Sequence, residues 1–263
     1  MSSATTAGDG TIPAASGTAA RSHDFPLYAG DPKRLTGVQW AVLLGAWLVA
    51  AACDLLVGVP GPPWLSIVVR GVLFAGLPLL ALAWALGGVR AAWGTLFRRV
   101  RGRDVGLMVG FAALNVVVTF AVGLLVSSLF DANPNPTGAA LADLGTGDRI
   151  AYFLSMIPQL VGEEVFTVVP FLAVLTLATV AWRLGRRASI TIALVVAAVL
   201  FALIHLPTYD WNLLQCLLII GVARVILFVP YLLTKNLAVS AGAHVLNDWT
   251  LFGLGLLGAG TVG

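Results

Sequence analysis

Long apolar runs, broken at intervals by short polar or proline-bearing stretches, dominate this chain from residue 37 onward. Val38 to Val59, Trp64 to Leu86, Val105 to Phe130, a stretch within Ile150 to Trp182, Ser189 to Leu206, Trp211 to Leu233 and Leu237 to Leu257 are each long enough for a helical bilayer crossing, which takes ~20 apolar residues. The pattern predicts an all-α polytopic transmembrane helical bundle of about seven spans. The fourth stretch is too long for one perpendicular helix, so Ile150 to Val161 is a candidate tilted or interfacial lead-in, and about six to eight spans fit the pattern. VPGPP at 59–63 and NPNP at 133–136 place proline and glycine where the chain must reverse.

Residues 1–36 lack this patterning. They are rich in Ser, Ala, Thr and Gly and predict a disordered N-terminal tail. No apolar run follows a basic start there, so a cleaved signal peptide is not expected and the first span serves as the insertion signal. Behind the tail, 37–149 reads as a set of N-terminal transmembrane helices and 150–258 as a second helical part that holds most of the intramembrane ionisable groups.

A composition of 59% hydrophobic and 10% charged residues, with a mean hydropathy of +0.95, excludes an ordinary soluble domain. The formal charge of +3 is unevenly placed. Arg21, Lys33 and Arg34 precede the first span; Arg90, Arg98, Arg99, Arg101 and Arg103 follow the second; Arg183, Arg186 and Arg187 follow the fourth; Lys235 follows the sixth. The intervening connections carry Asp131, Asp143, Asp148 and Asp210, with Arg149 as the exception. Because cytoplasmic loops hold the Lys and Arg, this alternation places the N-terminus in the cytoplasm and the C-terminus outside an integral, multi-pass protein. The same rule reads the Arg90–Arg103 loop as a topology signal beside anionic lipid, with no nucleic acid partner. Cys53 and Cys216 lie in apolar runs, where a thiol behaves as a small buried hydrophobe. No internal repeat is visible, which argues against the inverted-repeat architecture of secondary transporters.

Ionisable side chains within spans cost at least ~2.5–3.5 kcal/mol each and therefore mark cavities, partners or function. Here they are Asp54, Arg70, Glu163, Glu164, His205, Arg224, His244 and Asp248. Glu163 and Glu164 are neighbours, so on a helix they point about 100° apart and only one can face a given reacting atom. One suits a general base and the other an orienting role; the plain alternative is a solvated helix start at the membrane surface. His205 ends an apolar run just before Pro207 and could anchor a helix end. His244 stands four residues before Asp248, on the same helical face, with Asn247 beside it. Ser240, Ala241, Gly242 and Ala243 allow close approach of a neighbouring helix or a substrate, or simply pack helices.

The segments GEEVF, FALIH and HVLND, in this order, resemble the CAAX protease and bacteriocin-processing (CPBP, or Abi) family. Its pattern is a double Glu followed by Arg, then Phe-x-x-x-His, then His-x-x-x-Asn or Asp. The resemblance covers Ile150 to Trp249 and makes 150–258 a CPBP-like catalytic helical core. It implies an intramembrane endopeptidase acting on a membrane-associated peptide or protein within the lipid bilayer. In that scheme Glu163 and His205 activate water, Glu164 assists or orients, and His244 with Asp248 or Asn247 holds the tetrahedral oxygen. A carboxylate donates only when protonated, so Asp248 is alternatively the group that orients His244. The first motif departs from the family in having Val168 in place of Arg, with Arg224 as the candidate to supply that charge from another helix. The departure leaves open a non-catalytic scaffold of the same fold; a proton-coupled transporter is a third reading on residue types. No cofactor is predicted, although His, His and Glu are also a possible zinc set without any HExxH motif. Counting from the cytoplasmic ends puts Glu163 and His205 toward the outer face and His244 and Asp248 nearer the midplane, a mismatch the fold has to close.

Overall fold

The computed structural model of the chain describes residues 24–28 and 32–259, and every regular element among them is helical. In chain order these are α1 (Gly37–Leu56), α2 (Pro63–Leu86), α3 (Val89–Leu96), α4 (Gly102–Leu129), α5 (Pro136–Ala142), α6 (Thr146–Ala181), α7 (Arg186–Ile204), α8 (Leu213–Thr234) and α9 (Leu237–Ala259). α6 closes in a π-helical turn at Leu177–Ala181, and α8 carries another at Cys216–Gly221. Local chemistry sets the ends. Thr36 and Gln39 form a reciprocal capping box at the start of α1. Pro63 occupies the first turn of α2, and Gly87, at φ 88°, supplies the left-handed residue that ends it.

α1, α2, α4, α6, α7 and α8 are long and apolar enough to cross a membrane. Their outer faces expose large apolar side chains such as Leu48, Val117 and Leu124, at 61%, 66% and 74%, which is a surface suited to lipid. The protein is a multi-pass membrane protein. The seventh predicted span is formed as α9, of 23 residues, but it is not among the six that qualify by length and composition, because His244, Asn247 and Asp248 lie in its middle. The fourth stretch is a single helix of 36 residues, so Ile150 to Val161 is continuous with the remainder of that helix and the eight-span alternative does not occur among the described residues.

α6 forms the centre of the bundle and packs against α1, α2, α7 and α9. Its two prolines, Pro158 and Pro170, each remove one helical N–H. Pro170 would have bonded the carbonyl of Phe166, and that oxygen instead accepts from Trp47 Nε1 of α1 at 2.8 Å while the two rings stack at 4.6 Å. The otherwise orphaned acceptor thus becomes a link between helices. Close approach of α2 to α6 depends on Gly71, where a Cβ would stand 2.5 Å from the Gln159 backbone nitrogen. Phe171, Phe228 and Tyr231 fill the end of the core nearest Lys235 and Arg186, in edge-on contacts centred 5.2 and 6.1 Å from Phe171.

The expected disordered tail over 1–36 is corrected in its described part. Phe25 and Leu27 are each 2% exposed, with Phe25 packed edge-on against Phe171 at 5.2 Å. Lys235 Nζ lies 4.6 Å over the Phe25 ring, and Asp24 forms an ion pair with Arg186. An aromatic side chain with a basic rim around it, set among polar neighbours, escaped a composition-based reading. The rest of the tail expectation, over 1–23 and 29–31, lies outside the described residues. Arg149, the exception to the charge alternation, donates to the carbonyls of Leu141, Ala142 and Leu144 and so caps the C-terminus of α5.

Candidate active site

A cavity of about 690 Å³ opens between α2, α4, α6, α7, α8 and α9, within the size range of ligand pockets. Glu163, His205, His244, Asn247 and Asp248 all line it, and Glu164 does not. Tyr209 and Asn135, from the α7–α8 and α4–α5 connections, and Thr137, in the first turn of α5, line one end of it. Those connections are the acidic ones, opposite in the alternation to the arginine-rich loops. Burial pushes the Tyr209 phenol up to about 12, so it stays neutral and accepts from Asn135 Nδ2 at 3.0 Å.

Glu163 and Glu164 fall midway along the 36-residue α6, which is why adjacent residues serve two different environments. The Glu163 side chain is 13% exposed and faces the cavity; that of Glu164 is wholly buried and forms an ion pair with Arg224 of α8, itself wholly buried. The cation that pairs with Glu164 thus comes from another helix. Val168, at the family's Arg position, is 0% exposed within the apolar core. The Arg224 guanidinium also lies 3.8 Å over the Phe201 ring of α7, which fixes its plane.

His244 joins the two carboxylates. Its Nδ1 stands 3.0 Å from Glu164 Oε1, while Nε2 is 3.7 Å from Glu163 Oε2 and 3.6 Å from Asp248 Oδ1. Arg224 Nη2 is 2.9 Å from Nδ1 and 3.3 Å from Nε2 of the same ring. An atom that near both ring nitrogens is in line with neither lone pair, so the Nδ1 proton goes to Glu164 and Arg224 lies over the ring. For the glutamates the expected mismatch in depth closes here: His244 reaches both because they sit at the midpoint of an unusually long helix.

His205 is held differently. Its Nδ1 bonds the Phe201 carbonyl, four residues back, at 2.8 Å, and the two rings are centred 4.6 Å apart. A carbonyl can only accept, so Nδ1 carries the proton and Nε2 of the neutral ring keeps its lone pair. The free helix end supplies that carbonyl, since α7 stops at Ile204 and Pro207 follows.

Three neutral side chains complete the site without having been singled out from the sequence. Asn115 of α4 donates to Asn247 Oδ1 at 2.9 Å, and Asn247 donates to Asp248 Oδ1 at 2.9 Å. Gln159, one turn before Glu163, donates to Asp54 Oδ1 at 2.9 Å, and Tyr209 closes one end. Asn115 and Gln159 each interrupt an apolar run, the one signal that could have found them. Among the described residues, no group of three or more His, Cys, Asp or Glu is arranged to hold a metal ion.

No curated protein and no solved structure matches the chain. Residues 146–250, from the start of α6 into α9, match the family model described as Type II CAAX prenyl endopeptidase Rce1-like. That stretch holds both glutamates, both histidines, Arg224, Asn247 and Asp248, and the model it matches is one of the CPBP family.

Proposed function

We propose that the chain is an intramembrane endopeptidase that hydrolyses a peptide bond of a membrane-associated peptide or protein, with Glu163 and His205 activating the attacking water. The observation that carries this reading is the division of labour in the glutamate pair: Glu164 forms an ion pair with Arg224, while Glu163 faces the cavity and, among the described residues, has no arginine at ion-pair distance. Membership of residues 146–250 in a protease family supports the reaction class.

In this reading the carboxylate of Glu163 takes a proton from water as the water oxygen bonds to the carbonyl carbon. His205 Nε2 accepts the second water hydrogen and holds the nucleophile in line. Positioned general bases of this kind supply ~10²–10⁴-fold. The carbonyl oxygen, now negative, receives hydrogen bonds from Nε2 of doubly protonated His244 and from the Asn247 amide; each such donor is worth ~10²–10³-fold. Asp248 accepts from Asn247 and flanks His244 as an orienting carboxylate. Glu163 then returns its proton to the leaving nitrogen, the C–N bond breaks as the oxyanion re-forms the carbonyl, and the remaining hydroxyl proton passes to His205 Nε2, so that a carboxylate and an amine are released.

With the N-terminus cytoplasmic, the cavity end lined by Tyr209, Asn135 and Thr137 faces outward. The substrate is accordingly a peptide or protein segment presented at the outer leaflet. The Glu164–Arg224 pair weighs against a non-catalytic scaffold, because the charge missing at Val168 is supplied elsewhere. The test is cleavage of a membrane-tethered peptide library by the purified protein in liposomes, with and without chelator, beside Glu163→Ala and His205→Ala. Cleavage by the parent alone, unaffected by the chelator, is expected; equal turnover in all three proteins contradicts the assignment.

A further inference from the structure

The amides of Asn115 and Asn247 form a directed chain that ends on Asp248. Asn115 is 0% exposed, and its Nδ2 donates to Asn247 Oδ1 across 2.9 Å. Its own Oδ1 has no partner among the described residues, so donation is the hydrogen bond that this side chain contributes. Asn247, 3% exposed, turns its Nδ2 to Asp248 Oδ1 at 2.9 Å, and that same oxygen stands 3.6 Å from His244 Nε2.

An asparagine amide has two orientations that differ by exchange of its oxygen and nitrogen. Flipping Asn247 alone would set its oxygen against the Asp248 carboxylate and its NH₂ against the NH₂ of Asn115; the carboxylate, which can only accept, sets the polarity of the chain, and Asn115 adds the second bond that holds it. The donor on α4 and the carboxylate on α9 therefore hold the same orientation. The reach from α4 is made possible by close helix packing, since a Cβ at Gly242 would stand 2.6 Å from Met108 Sδ, about two turns along α4 from Asn115.

We propose that Asn115, which lies outside the stretch shared with the family, is a positioning residue of the site: it fixes the Asn247 amide so that its NH₂ faces Asp248 and the cavity. The role in turnover rests on the endopeptidase reading, whereas the hydrogen-bond chain itself does not. The partner chemistry is an oriented carboxamide donor acting through a second carboxamide on the carboxylate beside His244.

Asn115→Asp keeps the shape but replaces the donor by an acceptor, leaving carboxylates at both ends of the Asn247 amide. The melting temperature in detergent is expected to fall by about 3–10 °C, and addition of Asp248→Asn restores most of it, because Asn247 then flips and the chain runs in reverse. Should Asn115→Asp fail to accumulate, accumulation on adding Asp248→Asn is the same rescue. Glu163→Gln, which removes a carboxylate from the cavity but not from the chain, gives no rescue. Failure of Asp248→Asn to rescue, or equal rescue by Glu163→Gln, overturns the chain. In a cleaving parent, Asn115→Leu is expected to lower kcat about 10–100-fold with a smaller change in KM; kcat within twofold of the parent overturns the positioning role. A parent that cleaves nothing removes the endopeptidase reading, and the rescue then decides the chain by itself.

Discussion

Arg224 of α8 and Glu164 of α6 form an ion pair in which both side chains are wholly buried. Sixty residues separate them in the sequence, and between them they neutralise the one carboxylate of the pair that cannot reach the cavity. Removing either partner strands a charge in a low-dielectric core, which costs ~3–5 kcal/mol, whereas removing both can be nearly neutral. Arg224→Leu is therefore expected to lower the melting temperature in detergent by roughly 10 °C. Arg224→Leu combined with Glu164→Gln should recover more than half of that loss. Thermal unfolding of the three proteins checks the claim, and additive losses would contradict it.

His205 is expected to separate stability from turnover. Asn at this position places an amide N–H where Nδ1 stands and keeps the bond to the Phe201 carbonyl, but offers nothing in place of Nε2. His205→Asn should retain a melting temperature within about 2 °C of the parent and lose ~10²-fold or more in kcat. Kinetics and thermal unfolding on one preparation measure both.

Gly71→Ala tests how the site is positioned. Its Cβ would meet the Gln159 nitrogen at 2.5 Å and Cα at 2.7 Å, which are backbone atoms that cannot swing aside. Overpacking of this kind costs ~1–3 kcal/mol, and the displaced turn immediately precedes Glu163. Loss of both stability and turnover is expected. Gly76→Ala, on the same helix with open space at its Cβ, serves as the control and should be silent or slightly stabilising.

The strap at Asp24–Tyr28 makes a pH-dependent contribution. Burial pushes the Asp24 carboxyl up, but hydrogen bonds from Tyr28, the Phe25 N–H and Arg186 outweigh it and leave the group below its ordinary value. A carboxyl lowered on folding stabilises the fold above its unfolded value of about 4 and loses that contribution as pH falls through its folded value. Acidification below about pH 4 should therefore release the strap first, with the parent losing stability there and Asp24→Asn losing less. Phe25→Ala should cost ~3–5 kcal/mol at neutral pH, as a buried aromatic against Phe171. Thermal unfolding across pH reads both.

The spans and the ionisable residues of the site were legible because membrane insertion penalises polarity so heavily that each exception stands out. Six of the seven apolar runs became helices that qualify as crossings, and the seventh, α9, falls short for the same reason that made it conspicuous: His244, Asn247 and Asp248. Arg224 could be suggested from the missing motif arginine, but its pairing with Glu164 depends on the rotation of α8, which includes a π-helical turn just before it. Asn115 and Gln159 were passed over because neutral amides cost less than charges and carry no spacing motif. Phe25 was lost to composition, since one aromatic side chain that finds a pocket outweighs a polar neighbourhood.

Glu163→Gln is the most direct probe, because it preserves shape and removes only the capacity to take a proton from water. The measurement is kcat on a membrane-tethered peptide in liposomes, paired with the melting temperature of the same protein. A fall of at least about 10²-fold in kcat with an unchanged melting temperature is expected. Turnover within threefold of the parent, in a folded variant, would contradict it.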